Sequence, residues 1–130
     1  MKPLSLAILV VAILLTGCSQ KERPPGQIGM TSGHAFDPVT VTIDAGETVT
    51  WINDSSESHT VTAFDDGIPE GAEYFASGGF SSEEEARDEV GDGLMKEGET
   101  FEVTFEVPGT YRYLCIPHES HGMTGTVTVR

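Results

Sequence analysis

The feature that most restricts this chain is an apolar period of two that returns in several short runs. Val39, Val41 and Ile43 alternate with Thr40, Thr42 and Asp44, and Val49 and Trp51 alternate with Thr48 and Thr50. Phe101, Val103, Phe105 and Val107 alternate with Thr100, Glu102, Thr104 and Glu106. Tyr111, Tyr113 and Cys115 keep the same phase, and Val127 and Val129 close the chain. Such alternation puts every apolar side chain of a run on one face, which is the mark of a half-buried strand. Leu114 is out of phase with its neighbours and is expected on the outer face. Ala45-Gly46, Asn53-Asp54 and Pro108-Gly109 supply turn signals between runs. Many short strands rich in Thr and Val predict an all-β fold, an antiparallel β-sandwich.

One stretch breaks the pattern. Residues 65–98 are rich in glycine and acid. Within them Ser82-Glu83-Glu84-Glu85 fits a capping box, and Gly91 is placed to end a short helix. The expectation is an excursion on the sandwich surface carrying one helix of two to three turns, with its acids facing solvent.

The first residues follow another logic. Leu4 to Leu15 is apolar apart from Ser5, and Met1-Lys2 precedes it. The run is short of the ~20 residues that span a bilayer and suits an export signal. It ends in Leu15-Thr16-Gly17-Cys18, which resembles the lipobox of prokaryotic lipoproteins, cleaved before a cysteine that then receives lipid. Residues 1–17 are therefore read as a lipoprotein signal peptide, and residues 18–27 as a polar, lipidated tether able to reach about 35 Å when extended. Residues 28–130 are read as one domain, expected to be monomeric and held at the extracytoplasmic face of the cell membrane.

Charge narrows the partners. The whole chain carries 21 acidic and seven basic side chains, a formal charge of −14. Loss of Lys2 with the leader makes it −15. That excess argues against binding nucleic acid or anionic lipid. It suits high salt, where a Debye length of ~3 Å at 1 M damps self-repulsion.

There are two cysteines. With Cys18 lipidated, Cys115 has no intrachain partner, and a lone thiol in an oxidising compartment calls for an occupant. Cys115-Ile116-Pro117-His118-Glu119-Ser120-His121-Gly122-Met123 gathers a thiolate, an imidazole and a thioether in nine residues. A second imidazole, His59, starts an earlier run. Soft sulfur donors with two imidazoles select copper, and a His₂Cys set with a weak axial Met is the blue-copper arrangement. Structural zinc prefers more Cys and His and has no use for Met. Taken singly, Cys115 or Met123 would more often be core residues, and His59 an ordinary strand histidine. The joint spacing favours His59, Cys115, His118 and Met123 as ligands. His34 and His121 are expected to face solvent.

The Cys-x-x-His-x-x-x-x-Met pattern, preceded by Gly109-Thr110-Tyr111-Arg112-Tyr113-Leu114, resembles the copper-binding end of the plastocyanin family of cupredoxins. Trp51-Ile52-Asn53-Asp54 and Ser58-His59-Thr60-Val61 are similar to its other half. The acidity, the lipobox and Ala76-Ser77-Gly78-Gly79-Phe80 resemble halocyanins of salt-loving archaea. The resemblance implies a Greek-key cupredoxin sandwich and one type 1 copper per chain. It implies one-electron transport between redox proteins of a respiratory chain, and a corner tyrosine at Tyr111. Two departures stand out. Thr60 and Ile116 occupy positions where many relatives carry Asn and Ser or Thr bonded to each other, and Ile116 has no side-chain donor for that bond. The signal also lacks the paired arginines common in halocyanins.

An enzyme such as a multicopper oxidase would need more histidines than the four present. A copper-storage or copper-delivery lipoprotein would show Met and His clusters outside this one site. The His118 edge is the expected electron port, within a small apolar patch, with Leu114 as the rival route.

Overall fold

A computed structural model describes residues 22–130; the signal segment 1–17 and the lipidation site Cys18 lie outside the described residues. The first sheet holds β1 (Gln27–Met30), β2 (Phe36–Asp37), β4 (Thr48–Asn53) and β6 (Thr100–Thr104), in the order β2-β1-β4-β6. The second holds β3 (Thr40–Ile43), β5 (Thr62–Ala63), β7 (Gly109–Leu114) and β8 (Thr124–Val129), in the order β3-β8-β7-β5. The chain thus switches sheets repeatedly, as in the expected sandwich. The sheets are mixed, however: β1 pairs with β4 and β3 with β8 in parallel, and the other pairs are antiparallel. Both parallel pairs join strands that are not consecutive, and a crossover is what parallel pairing requires.

Period-two residues meet between the sheets. Val49 and Trp51 from β4 face Tyr111, Tyr113 and Cys115 from β7 and its end, with Val127 and Val129 from β8. Trp51 lies at the centre, its ring 5.3 Å from Tyr113 edge-on and 5.9 Å from both Phe75 and Phe101. Gly125 is obligatory opposite Tyr113, because a Cβ there would lie 2.3 Å from the phenol oxygen. Tyr111 donates its hydroxyl to the Val107 carbonyl at 2.6 Å. It thereby ties the β6–β7 connection to the sheet, the corner role implied by the family resemblance.

The excursion departs from expectation. Its helix, α1 (Glu83–Asp88), has only six residues. Ser82 accepts from the Glu85 amide at 3.1 Å, as a capping box requires, but Glu85 turns to Ser81 instead of closing the box. The chain then passes into a 3₁₀ turn over Val90–Gly93, so Gly91 does not end the helix. The excursion is also more than a solvated surface. Phe75 and Met95 join the core, and Ser77 is buried, accepting from the Val61 amide and donating to the Gly93 carbonyl.

Packing onto the first sheet includes residues ahead of β1. The Arg23 guanidinium packs over Gly29, where a Cβ would lie 2.0 Å from it, and pairs with Asp54 at 2.6 Å.

Candidate metal centre

β7 delivers Cys115 to one end of the sandwich, and the ligand loop folds back over it. The Cys115 amide donates to the Met123 carbonyl at 3.0 Å, which clasps the two ends of the loop together. Between them the chain coils through a 3₁₀ segment, Ile116–His121, and Gly122 turns it out at φ 73°. That left-handed turn is costly for any residue with a Cβ. His59 arrives from the other side of the site, bonded both ways to the Met95 backbone.

Three donor atoms converge. Cys115 Sγ is 3.6 Å from His59 Nδ1 and 3.4 Å from His118 Nδ1, and the two nitrogens are 3.1 Å apart. A point equidistant from all three lies about 2.0 Å from each, against the ~2.0–2.3 Å typical of first-row metal bonds to imidazole and thiolate. Lone pairs held this close repel one another unless a cation sits between them. Copper fits this donor set.

Surrounding groups fix the donors. Ser55 Oγ lies 2.8 Å from His59 Nε2. The Ser55 hydroxyl has one proton and two carbonyl acceptors, Asn53 Oδ1 at 3.1 Å and the Glu57 carbonyl at 3.2 Å. His59 therefore donates from Nε2, and its Nδ1 lone pair faces the centre. Asn53 is locked in turn by bonds to the Glu57 and Met95 carbonyls. Burial, and then the nearby His118, push His59 down to about 4, so it is neutral at physiological pH. Burial likewise lowers His118 and raises the Cys115 thiol, the latter opposed by hydrogen bonds from Thr60.

Thr60 resolves the departure noted in the sequence. Its amide points at Cys115 Sγ from 3.4 Å, and its hydroxyl accepts from the Ile116 backbone amide at 2.9 Å. A main-chain donor thus does what the Ile116 side chain cannot.

Other expectations meet the structure unevenly. Met123 is fully buried at the return of the loop, and His121 faces solvent. Leu114 does not: it is fully buried. Its cross-strand partner Thr62 is buried as well, and α1 lies against β5. The route through Leu114 is therefore closed to a docking partner. The apolar patch around His118 shrinks to exposed Pro117 and half-buried Ile116. His34 is not solvent-facing either, since its ring stacks on His118 with centroids 4.1 Å apart and planes 18° apart. Ser55 and His34 carry no motif signal of their own, because a short polar residue and a loop histidine are common anywhere. Asn53 falls in the family-like Trp51-Ile52-Asn53-Asp54 stretch, but its bonds to the Glu57 and Met95 carbonyls were not legible there.

Fold and site together define a blue copper protein of the cupredoxin class, a one-electron carrier. The chain belongs to the family of copper binding proteins, plastocyanin/azurin family, which it matches over residues 27–130. It is 40% identical to a plastocyanin of Scenedesmus fuscus over 105 residues, covering 80% of this chain and 96% of that one. A purple cupredoxin from Nitrosopumilus maritimus superposes with TM-score 0.59 at 28% identity, over 80% of this chain and 98% of that one. A copper-containing nitrite reductase from Thermus scotoductus shares the fold, at 24% identity and TM-score 0.61 over 84% of this chain, but the match spans only 23% of the enzyme.

Proposed function

We propose that His59, Cys115, His118 and Met123 hold one type 1 copper. We further propose that the protein is a lipid-anchored carrier of the halocyanin kind, working at the extracytoplasmic face of a cell membrane. The observation that carries the metal assignment is the convergence of three donor atoms about one point. Met123 suits the weak fourth position, because the backbone clasp returns the chain to Cys115 there and the Met123 side chain is fully buried. Copper so held accepts or gives one electron with little change in its surroundings. This chain's part is to keep the donors still: Ser55 orients His59, Thr60 braces Cys115, and the clasped loop limits His118.

The acidity, the lipobox ending at Cys18 and the Ala76–Phe80 segment support the halocyanin reading, with respiratory-chain redox proteins as donor and acceptor. Arg23 is seated over Gly29, so the folded part already includes the C-terminal end of the segment read as a tether. The protein acts as a monomer in this reading. A store or delivery protein is disfavoured, because the thiolate is buried and the backbone clasp works against release.

The visible spectrum of the copper-loaded protein is the test. The oxidised wild type is expected to be intensely coloured by charge transfer from Cys115 sulfur, and Cys115→Ser to be pale. Met123→Leu is expected to stay coloured with a raised reduction potential, since loss of a weak donor disfavours Cu(II). A pale wild type holding one copper per chain would refute the type 1 assignment. An unchanged potential in Met123→Leu would reduce Met123 to packing. Separately, Cys18→Ser is expected to leave the membrane fraction or remain unprocessed; equal retention of wild type and variant would refute the anchor.

A further inference from the structure

His34 lies in the loop between β1 and β2, far in sequence from the site, and among the described residues it is the only non-glycine at positive φ, 53°. That conformation strains a residue with a Cβ. Gly33 stands next to it, yet the left-handed position is filled by histidine. Thr31 braces the loop through bonds to Ala35 and from the His34 amide. The strained backbone aims the ring at His118, stacked at 4.1 Å, and His121 flanks it at 4.5 Å. Glu57 holds the far side of the ring, its carboxylate 2.9 Å from His34 Nε2. The His34 side chain is 24% exposed.

His34, Glu57 and His118 also bring donor atoms within 4.8 Å of one another, which raises the question of a second metal. Ring geometry answers it. An imidazole binds a metal in its own plane, and two rings stacked 18° from parallel cannot both aim their lone pairs at one ion. The arrangement is a stack rather than a chelate.

We propose that His34 is a positioning residue for electron transfer, its stacked ring holding the half-buried imidazole of His118 in one orientation whichever oxidation state the site is in. The proposal rests on His118 being a copper ligand. His118 is the half-buried member of the donor set, whereas His59 is sealed in the core and tied to Ser55. It is thus the ligand with most freedom to turn. A ring that turns between states adds to the rearrangement each transfer requires. In self-exchange one electron passes between a reduced and an oxidised copy with no net driving force, so at high salt, where charge effects on the encounter are screened, the rate falls as that rearrangement grows.

Two variants separate the stack from its alternatives. His34→Gly removes the ring and relieves the positive φ, so the loop keeps its fold. His34→Phe keeps a ring but has no nitrogen for Glu57 or for a metal. All three proteins are expected to be blue. Self-exchange at high salt is expected to slow roughly two- to tenfold in His34→Gly, the population effect of losing one aromatic contact, and to recover in His34→Phe. NMR relaxation of the His118 ring in the copper-free proteins is expected to show greater ring motion in His34→Gly alone. Wild-type rates and ring order in His34→Gly would overturn the proposal. So would a His34→Phe as slow as His34→Gly, which would assign the effect to the Glu57 pairing. A wild type that takes copper without colour would sink the ligand assignment instead, and ring order in the copper-free proteins would still decide the stack.

Discussion

His59 shows how one side chain couples the site to the stability of the fold. It is fully buried, hydrogen-bonded through Nε2 to Ser55, and lowered to about 4 mainly by that burial. In an unfolded chain a histidine titrates near ~6.5. Between these values the unfolded state binds the extra proton, so stability rises with pH across the interval. The copper-free protein should hold this contribution in full above about pH 6.5 and lose about 3 kcal/mol of it by pH 4. Urea unfolding of the copper-free protein at pH 7 and pH 4.5 measures the loss. Carboxylates titrate in part of this range, so His59→Gln is the reference, and its stability should fall less over the same interval. Equal falls in the two proteins would mean that His59 is not held neutral by the fold.

At the scale of elements, the acidic excursion touches the metal end of the sandwich twice. Met95 pairs with the backbone of His59. From α1, Arg87 grips Glu119 of the ligand loop in a two-point contact of 2.7 and 3.0 Å, and also holds Glu83. The same contact holds the Glu119 carboxyl below the usual carboxylate range. Glu119 follows His118 directly, so the helix braces the loop that carries a candidate ligand. Arg87→Ala should therefore speed copper loss to a strong chelator severalfold. It should shift unfolding by no more than the ~1 kcal/mol expected of an exposed ion pair. Unchanged copper release, with only a small loss of stability, would leave α1 as a surface helix without influence on the site.

Across the whole molecule, charge and topology pull in opposite directions. Formal charge stands at −14 for the full chain, and among the described residues arginines pair with six of the acids, Asp37, Asp44, Asp54, Asp66, Glu83 and Glu119. Self-repulsion of this size opposes compaction and is screened by salt. The thermal midpoint should therefore rise markedly between 0.05 and 1 M NaCl (on the order of a 20-fold change in ionic strength). Charge-neutralised variants at Glu83, Glu84 and Glu89 should show a smaller rise. A midpoint indifferent to salt would show that the acids repel one another too weakly to matter.

Much of this protein was decided by local chemistry and was therefore legible in the chain. Period two placed Trp51, Tyr113 and Cys115 inward, because side chains alternate across a strand whatever lies beyond it. The nine residues from Cys115 to Met123 announced the metal, because a loop that short keeps its donors together in most foldings. What depended on distant partners was not legible. The phase of Leu114 put it out of step with the inward residues, but its complete burial depends on tertiary packing that the phase does not encode. Thr60 could be seen as a departure, yet its bond to the Ile116 amide needs two segments 56 residues apart to meet. His34 and Ser55 carried no signal at all. Their roles arise where β1 and β4 run parallel and bring the ends of both strands to the same edge of the sandwich, a proximity that no local pattern encodes.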